Sequence, residues 1–234
     1  MPRGGRCPTT RCAARCTGWI TCGSDPGTTW SRTPSARKKR RIRRQILALP
    51  RRSVVLAQDE TDLLLFPPLR AGWSKRGEVA RVWLSGRNAR RVIFGAMNLR
   101  TGSRLLVPRE KGRSGDFQAF AGEVRSAYRG WHVAMLLDED SCHTAQASRG
   151  AVEGMTLLWL PKRSPKLNPL EALWGEGKGV ISANKQYAGI EEQVARFLGV
   201  LRGLSNKEAL RTSGVLSKGF WLRAALSKAF CGSA

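Results

Sequence analysis

Acidic residues are scarce in this sequence of 234 residues. It contains 17 Asp and Glu against 41 Lys and Arg, which gives a formal net charge of +24 and a sequence pI near 11.3. So strong a positive field attracts polyanions, of which nucleic acid is the commonest. The hydrophobic content of 41% still supplies enough apolar side chains for a packed core, which excludes a chain that is disordered throughout.

Long apolar runs are absent as well. The longest runs, Val54–Ala57, Leu63–Phe66 and Val133–Leu137, have the length of strands. They fall far below the ~20 residues that a membrane-spanning helix needs. No apolar stretch follows the first arginines, so a secretory signal peptide is not expected either. We therefore expect a cytoplasmic protein without a membrane partner.

Histidine is rare, with two residues, and the four cysteines between Cys7 and Cys22 are irregularly spaced. Zinc clusters favour Cys or His pairs two to four residues apart with a second pair further on, so no zinc site is assigned here. In a reducing compartment these thiols are not expected to form disulfides. Cys142 and Cys231 are interpreted as ordinary thiols.

The positive charge is concentrated at the N-terminus. Residues 1–52 carry a net charge of +13 and residues 53–234 a net charge of +11. Residues 1–36 are rich in Gly, Pro, Ser and Thr and lack periodicity, which predicts a basic, largely disordered tail. Residues 37–52 are predicted to be a basic linker or short helix, and residues 53–230 a single folded domain.

The basic run in this linker has two interpretations, a solvated surface or a surface that contacts phosphates. The second interpretation makes these residues candidates for DNA binding, and a basic pair further along the chain is added to them. The candidate DNA-binding residues are Arg37, Lys38, Lys39, Arg40, Arg41, Lys162 and Arg163.

Hydrophobic periodicity predicts an α/β fold. Apolar, β-branched runs predict strands at residues 53–58, 79–84, 91–97, 104–107, 133–137 and 156–160. Helical spacing, or compatibility with a helix, is found at residues 117–128, 143–153, 190–201 and 205–214, and residues 168–171 form a helix start. This order predicts a mixed sheet flanked by helices.

Two acidic clusters stand out in so basic a chain. Asp59, with Glu60 and Asp62, follows the first predicted strand, and Asp138, with Glu139 and Asp140, follows the strand at 133–137. Ligands bind at such strand ends in α/β sheets, and gathered carboxylates favour Mg²⁺ or Mn²⁺. The alternative is that these acids are loop residues paired with local arginines.

Glu171 is the candidate for a third carboxylate. It lies on the first turn of a predicted helix in which Asn168 is the N-cap and Pro169 the first helical residue. Glu171 has two interpretations here: a metal ligand, or the second half of a capping box with Asn168.

Four segments carry a resemblance to a known family: Val54–Glu60, Trp73–Gly77, Leu136–Asp138 with His143 following, and Leu160–Trp174. The last, a proline-flanked Ser-Pro-x-Leu-Asn-Pro leading into an acid and Trp, is the most specific. From about Arg37 to Arg223 the sequence resembles the catalytic domain of bacterial insertion-sequence transposases of the mariner superfamily, which are DDE-type endonucleases.

This resemblance implies a ribonuclease-H-like fold and a triad of Asp59, Asp138 and Glu171 that binds two divalent metal ions, Mg²⁺ or Mn²⁺. Such enzymes cut DNA at the ends of a mobile element and use the freed 3′ hydroxyl to attack target DNA. A homodimer assembled on DNA is therefore expected. Asp140 is the main competitor for the role of Asp138.

The resemblance has one departure. Relatives carry helix-turn-helix modules before the catalytic domain, whereas residues 1–36 show no such pattern. We expect either that this module is on another chain or that the copy is truncated or frame-damaged. The alternative function is therefore a catalytically inactive remnant that binds DNA through charge alone. Only the enzyme needs all three carboxylates.

Overall fold

The computed structural model describes residues 36–79, 81–161 and 164–231. Outside the described residues lie the predicted disordered tail, except for Ala36, and the candidate residues Lys162 and Arg163. Five strands form one sheet: β1 (Ser53–Leu64), β2 (Arg90–Asn98), β3 (Arg104–Arg109), β4 (His132–Leu137) and β5 (Thr156–Trp159).

Helices surround this sheet. They are α1 (Ala36–Leu47), α2 (Ser114–Ala127), α3 (Ser141–Thr144), α4 (Gln146–Ala151), α5 (Leu170–Ile181), α6 (Ile190–Gly203), α7 (Asn206–Thr212) and α8 (Arg223–Cys231), with a short 3-10 helix at Pro165–Leu167. Among the described residues, no helix is both long and apolar enough to cross a bilayer.

The strand order is β3-β2-β1-β4-β5. β2 runs antiparallel to both of its neighbours, whereas β1, β4 and β5 run parallel to one another. The predicted mixed sheet with flanking helices is confirmed. β4 pairs with β1 only from Ser53 to Ala57, so the second half of β1 continues beyond the end of β4 and is paired with β2 alone.

Alternate side chains of β1 enter two different cores, as the period of a strand requires. Val55, Ala57 and Leu63 join the core built with α1, α5, α6 and α8, whereas Val54 and Leu56 join the core built with α2. Neighbouring residues of β1 therefore project into different environments. This division continues past Ala57, where the acidic residues begin.

The basic helix α1 is anchored to the domain through its apolar face. Ile42 and Ile46 are fully buried in the first core, and Arg43 Nε donates a hydrogen bond to the carbonyl of Trp221. Near the start of the helix, Lys38 Nζ lies 3.0 Å from Glu139 Oε1. The N-terminal turns of α1 therefore lie beside the edge of the sheet where β4 ends.

Two strand predictions are corrected. The strand predicted at 53–58 continues to Leu64, because β2 supplies pairing partners from Leu56 to Leu64, and Asp59 lies within the strand rather than after it. The strand predicted at 79–84 is absent from the described residues of that segment. Gly77 and Gly86 adopt positive φ on either side, and Val79 and Trp83 are 80% and 88% exposed, so no sheet edge covers them.

Two helix predictions are also corrected. The helix-compatible segment 143–153 forms two short helices, α3 and α4, instead of one. α5 begins at Leu170, one residue later than expected, and its N-cap is Pro169, which supplies no side-chain cap. Asn168, the predicted N-cap, instead uses its amide group to connect α5 to β1, as described below.

Candidate active site

Asp59 is held at the centre of the site by Trp174. The indole Nε1 of Trp174, on α5, donates a 3.0 Å hydrogen bond to Asp59 Oδ2. On β2, Gly95 is the partner of Asp59, and a Cβ at Gly95 would lie 2.5 Å from the Trp174 ring. The absence of a side chain at Gly95 therefore allows the indole to lie across the sheet and reach Asp59.

The other two predicted carboxylates lie near Asp59. Asp138 directly follows β4, the parallel neighbour of β1, and Glu171 is on the first turn of α5, one turn before Trp174. Burial and the negative charges of Glu171, Glu60 and Asp138 raise the pKa of Asp59 to about 8, although the Trp174 hydrogen bond lowers it. Burial and the neighbouring acids therefore outweigh the hydrogen bond that favours ionised Asp59.

The remaining acids of the two clusters have other partners. Asp62 pairs with Arg90 at 2.8 Å. Asp140 caps α3, accepting a 2.9 Å hydrogen bond from the Cys142 backbone, which with other hydrogen bonds holds its pKa below the usual value. Asp140 is therefore engaged as a helix cap, while the charge of Asp138 acts on Asp59.

His143 connects Asp138 to Glu60. Its Nε2 lies 2.8 Å from Glu60 Oε1, and its Nδ1 lies 3.1 Å from Asp138 Oδ1 and 3.2 Å from the Asp138 carbonyl oxygen. Burial lowers the pKa of His143, but hydrogen bonds to Asp138, Cys142 and Glu60 outweigh it and raise the pKa to about 12. In this geometry the ring is an imidazolium between two carboxylates.

The capping interpretation of Glu171 does not agree with the geometry. Pro169, the N-cap of α5, supplies no side-chain cap, and among the described residues Glu171 forms no capping box. Asn168 accepts a 3.2 Å hydrogen bond from the Leu170 backbone and donates a 2.8 Å hydrogen bond to the Gln58 carbonyl. The amide of Asn168 thereby fixes the start of α5, and with it Glu171, against the strand that carries Asp59.

Lys178 is a cation on the same helix as Glu171. Burial lowers its pKa, while the charges of Asp62, Glu171 and Asp59 raise it. Two turns separate Lys178 from Glu171 along α5, so both side chains lie on the same side of the helix. This half-buried lysine therefore contributes positive charge beside the acids.

The candidate DNA-binding residues of α1 do not all have the same environment. Arg37, Arg40 and Arg41 are exposed, whereas Lys38 pairs with Glu139, the neighbour of Asp138. The positive face of α1 therefore lies next to the acids. This position agrees with the phosphate-contact interpretation.

Residues 54–192 match the family model described as DDE superfamily endonuclease. The chain belongs to this family. The match spans all five strands and the segments that carry Asp59, Asp138 and Glu171. The resemblance seen in the sequence is confirmed at the level of the family.

Two relatives agree with this assignment. The "Insertion element IS630 uncharacterized 39 kDa protein" of Shigella sonnei is 26% identical over 136 residues, which cover 56% of this chain and 40% of that protein. The "Uncharacterized protein y4pE/y4sA" of Sinorhizobium fredii is 34% identical over 85 residues, which cover 35% of this chain and 61% of that protein. This chain thus aligns with about half of the length of the two relatives.

Solved structures show the same fold. The catalytic domain of Mos1 mariner transposase matches with a TM-score of 0.53 and 15% identity, covering 82% of this chain and 92% of that chain. The Mos1 transposase in a paired-end complex with the left transposon end matches with a TM-score of 0.57 and 16% identity, covering 82% and 62%. The predicted ribonuclease-H-like fold is confirmed.

Sequence reasoning missed several residues that shape the site. Trp174 and Asn168 were part of the recognised motif, but their hydrogen bonds to Asp59 and to β1 join residues more than one hundred positions apart. His143 was noted only as a motif residue. One signal could have identified it: a histidine five positions after an acid at a strand end, in a chain with two histidines.

Proposed function

We propose that this chain cleaves DNA strands and transfers them during transposition of an insertion sequence, using divalent metal ions. The observation that carries the proposal is the convergence of acidic side chains on Asp59, whose ionisation is opposed by burial and by their charges. In a chain of net charge +24, three carboxylates from β1, the end of β4 and α5 act on one another, and the pKa of Asp59 rises to about 8.

The acid triad (Asp59, Asp138 and Glu171) fits Mg²⁺ or Mn²⁺ by its chemistry. Carboxylate oxygens are the ligands that hard divalent cations prefer, and cations would remove the repulsion that disfavours ionised Asp59. In the part of the chain that the structure describes, the ligand atoms of the triad do not all lie within 4.8 Å of one another. Two ions ~3.5–4 Å apart need a wider arrangement than one ion does.

The metal ions, once bound, would polarise a phosphate oxygen and activate water or a 3′ hydroxyl for attack on phosphorus, with departure of the opposite oxygen. The residues of this chain prepare the site for that reaction. Trp174 orients Asp59, His143 fixes Asp138, and Asn168 fixes the helix that carries Glu171.

DNA is the proposed partner, both as element ends and as target. The exposed arginines of α1 are on the same helix as Lys38, which pairs with Glu139, and would bind phosphates; the Mos1 structures include complexes with transposon ends. We also propose that two copies assemble on DNA. Among the described residues, Leu69, Trp73 and Trp83 of the segment between β1 and β2 are large apolar side chains with exposures above 60%, as is typical of interaction surfaces.

A plasmid-nicking assay with Mn²⁺ tests the proposal. We expect Mn²⁺-dependent conversion of supercoiled to nicked DNA, and a loss of at least ~10³-fold for Glu171→Gln, because the site loses a metal ligand. Glu176→Gln is the matched control, since Glu176 is an exposed acid of the same helix and the change in net charge is identical.

DNA binding by both variants should equal that of the parent protein and decrease steeply with salt, because phosphate contacts dominate it. Absence of Mn²⁺-dependent nicking by the parent protein, with binding intact, would favour the inactive DNA-binding remnant. Equal nicking by Glu171→Gln and the parent would contradict the acid triad.

A further inference from the structure

A second cluster of potential metal ligands lies next to the acid triad, on the other side of β1. Glu60, Cys142 and His143 each offer one ligand atom, and these atoms all lie within 4.8 Å of one another. Consecutive residues of a strand project to opposite faces, so Glu60 and Asp59 belong to different sites. The contacts of Glu60 confirm this, because it pairs with His143 and not with Trp174.

The ligand types of this cluster differ from those of the acid triad. It combines a thiol, an imidazole and a carboxylate, the three ligand types that Zn²⁺ uses, whereas Mg²⁺ favours oxygen. A thiolate, a carboxylate and a neutral imidazole together carry two negative charges, which a divalent cation neutralises. Three protein ligands leave one position of a tetrahedral ion for water.

His143 has the hydrogen-bond partners that are typical of a metal-binding histidine. Metal-bound histidines usually donate their other ring N–H to a carboxylate or carbonyl oxygen, and Nδ1 of His143 lies within 3.2 Å of both such oxygens of Asp138. Nε2 remains directed at Glu60. Gln58 donates a 2.8 Å hydrogen bond to Glu60 Oε1, so the carboxylate is oriented as well.

The elements that carry the ligands are fixed before any ion binds. Ser148 Oγ donates a 2.6 Å hydrogen bond to the Cys142 carbonyl, and the ring of Phe117 packs edge-on against His143 at 4.6 Å. His143 is 1% exposed, whereas Cys142 is only partly buried. Solvent therefore has access to the cluster from the side of Cys142.

We propose that Glu60, Cys142 and His143 form a binding site for a thiophilic divalent cation of the Zn²⁺ class, distinct from the acid triad. On binding, the Cys142 thiol and Nε2 of His143 each release one proton to solvent, and three bonds from sulfur, nitrogen and oxygen to the cation form. The bound ion connects α3 to β1. The contact between Nδ1 and Asp138 remains.

Co²⁺ is the probe for this site, because thiolate coordination gives it a charge-transfer band in the near ultraviolet. The parent for the titration is the full chain in which Cys7, Cys12, Cys16, Cys22 and Cys231 are replaced by Ser, so that Cys142 is the sole thiol. Excess Mg²⁺ is present throughout to occupy the acid triad. We expect one equivalent of Co²⁺ to produce the band and one equivalent of Zn²⁺ to remove it.

Three variants of this parent separate the two sites. Cys142→Ser should abolish the band, and Glu60→Gln should weaken Co²⁺ binding by at least ~10-fold, as losses around metal sites commonly do. Glu171→Gln should leave the band and its stoichiometry unchanged. Circular dichroism establishes that each variant is folded.

A Co²⁺ complex without a thiolate band would overturn the proposal, as would a band that disappears with Glu171→Gln. If the five-serine parent does not fold, the wild-type chain and its Cys142→Ser variant are compared. The proposal then requires that the Cys142→Ser variant bind one equivalent less of thiolate-coordinated Co²⁺ than the wild type does. The result does not depend on nicking, so it stands or fails separately from the proposed function.

Discussion

Asp59 and Glu60 are adjacent on β1, yet their charges are balanced in different ways. Glu60 accepts hydrogen bonds from His143 and Gln58, and the imidazolium of His143 compensates its charge within the protein. Asp59 receives one hydrogen bond from an uncharged indole and lies near the charges of Glu171 and Asp138. This difference is why we propose that Asp59, and not Glu60, needs a cation supplied from outside the chain.

Strand cleavage gives the largest effect that this comparison predicts. Asp59→Asn should reduce Mn²⁺-dependent nicking by at least ~10³-fold, because a neutral amide is a poor ligand for a hard cation. The control is Asp62→Asn, since Asp62 lies three residues along the same strand and pairs with Arg90 at the surface. Cleavage by Asp59→Asn at a rate similar to that of Asp62→Asn would contradict the role of Asp59.

In the metal-free protein, neutralising Glu60 should lower the free energy of unfolding, whereas neutralising Asp59 should raise it. Glu60→Gln leaves the buried imidazolium of His143 without one partner and should lower the free energy of unfolding by roughly 3 kcal/mol. Urea unfolding in EDTA at pH 7 measures this change.

Glu123→Gln is the control for this substitution. Glu123 pairs with Arg109 at the surface, where such pairs contribute at most about 1 kcal/mol. If the two substitutions lower the free energy of unfolding equally, the ion pair between His143 and Glu60 does not stabilise the protein as proposed.

Gly95 tests how Trp174 reaches Asp59. Gly95→Ala places a methyl group against the Trp174 ring and should cost roughly 1–3 kcal/mol of stability, as overpacking does. Gly179→Ala, at an open position of α5, should instead stabilise the helix by about 0.5–1 kcal/mol. Thermal unfolding of both variants is the measurement, and a stabilised Gly95→Ala would contradict the packing.

The smallest predicted effect is on DNA binding. Arg40→Ala removes one exposed charge of α1 and should reduce the slope of log affinity against log salt by about 0.9. Arg129→Ala is the matched control, because Arg129 is exposed and precedes β4, at the end of that strand away from Asp138. Equal slopes for the two variants would exclude α1 from the DNA-binding surface.

The sequence was sufficient to predict the sheet and the region of the acids. Apolar runs at 91–97 and 133–137 correspond to β2 and β4, and the helix predicted at 205–214 corresponds to α7, which begins with a capping box of Ser205 and Glu208. These features depend on local periodicity and on hydrogen bonds between near neighbours, which a sequence displays directly.

The sequence was not sufficient where tertiary pairing decides the structure. β1 extends past Asp59 because β2 is beside it, whereas the described residues of 79–84 pair with no strand despite the strand-like composition of this segment. The hydrogen bonds from Trp174 to Asp59 and from Asn168 to Gln58 join distant parts of the chain. No local pattern encodes such contacts.

Ionised Asp59 is disfavoured in the metal-free protein by burial and by the neighbouring acids, and the pH dependence of stability tests this most directly. Because the pKa of Asp59 in the folded protein is about 8, above its ordinary value of 3.8, the folded state binds the additional proton between these limits. The stability of the metal-free protein should therefore decrease as pH rises from about 4 to about 8.

The decisive measurement is the difference in free energy of unfolding between Asp59→Asn and the wild type across this pH range, in EDTA and then in saturating Mg²⁺. In EDTA the variant should become increasingly more stable than the wild type as pH rises, by up to about 1.4 kcal/mol per pH unit. Mg²⁺ should stabilise the wild type selectively and reduce the difference. A difference that does not change with pH, or equal stabilisation of both proteins by Mg²⁺, would contradict the account.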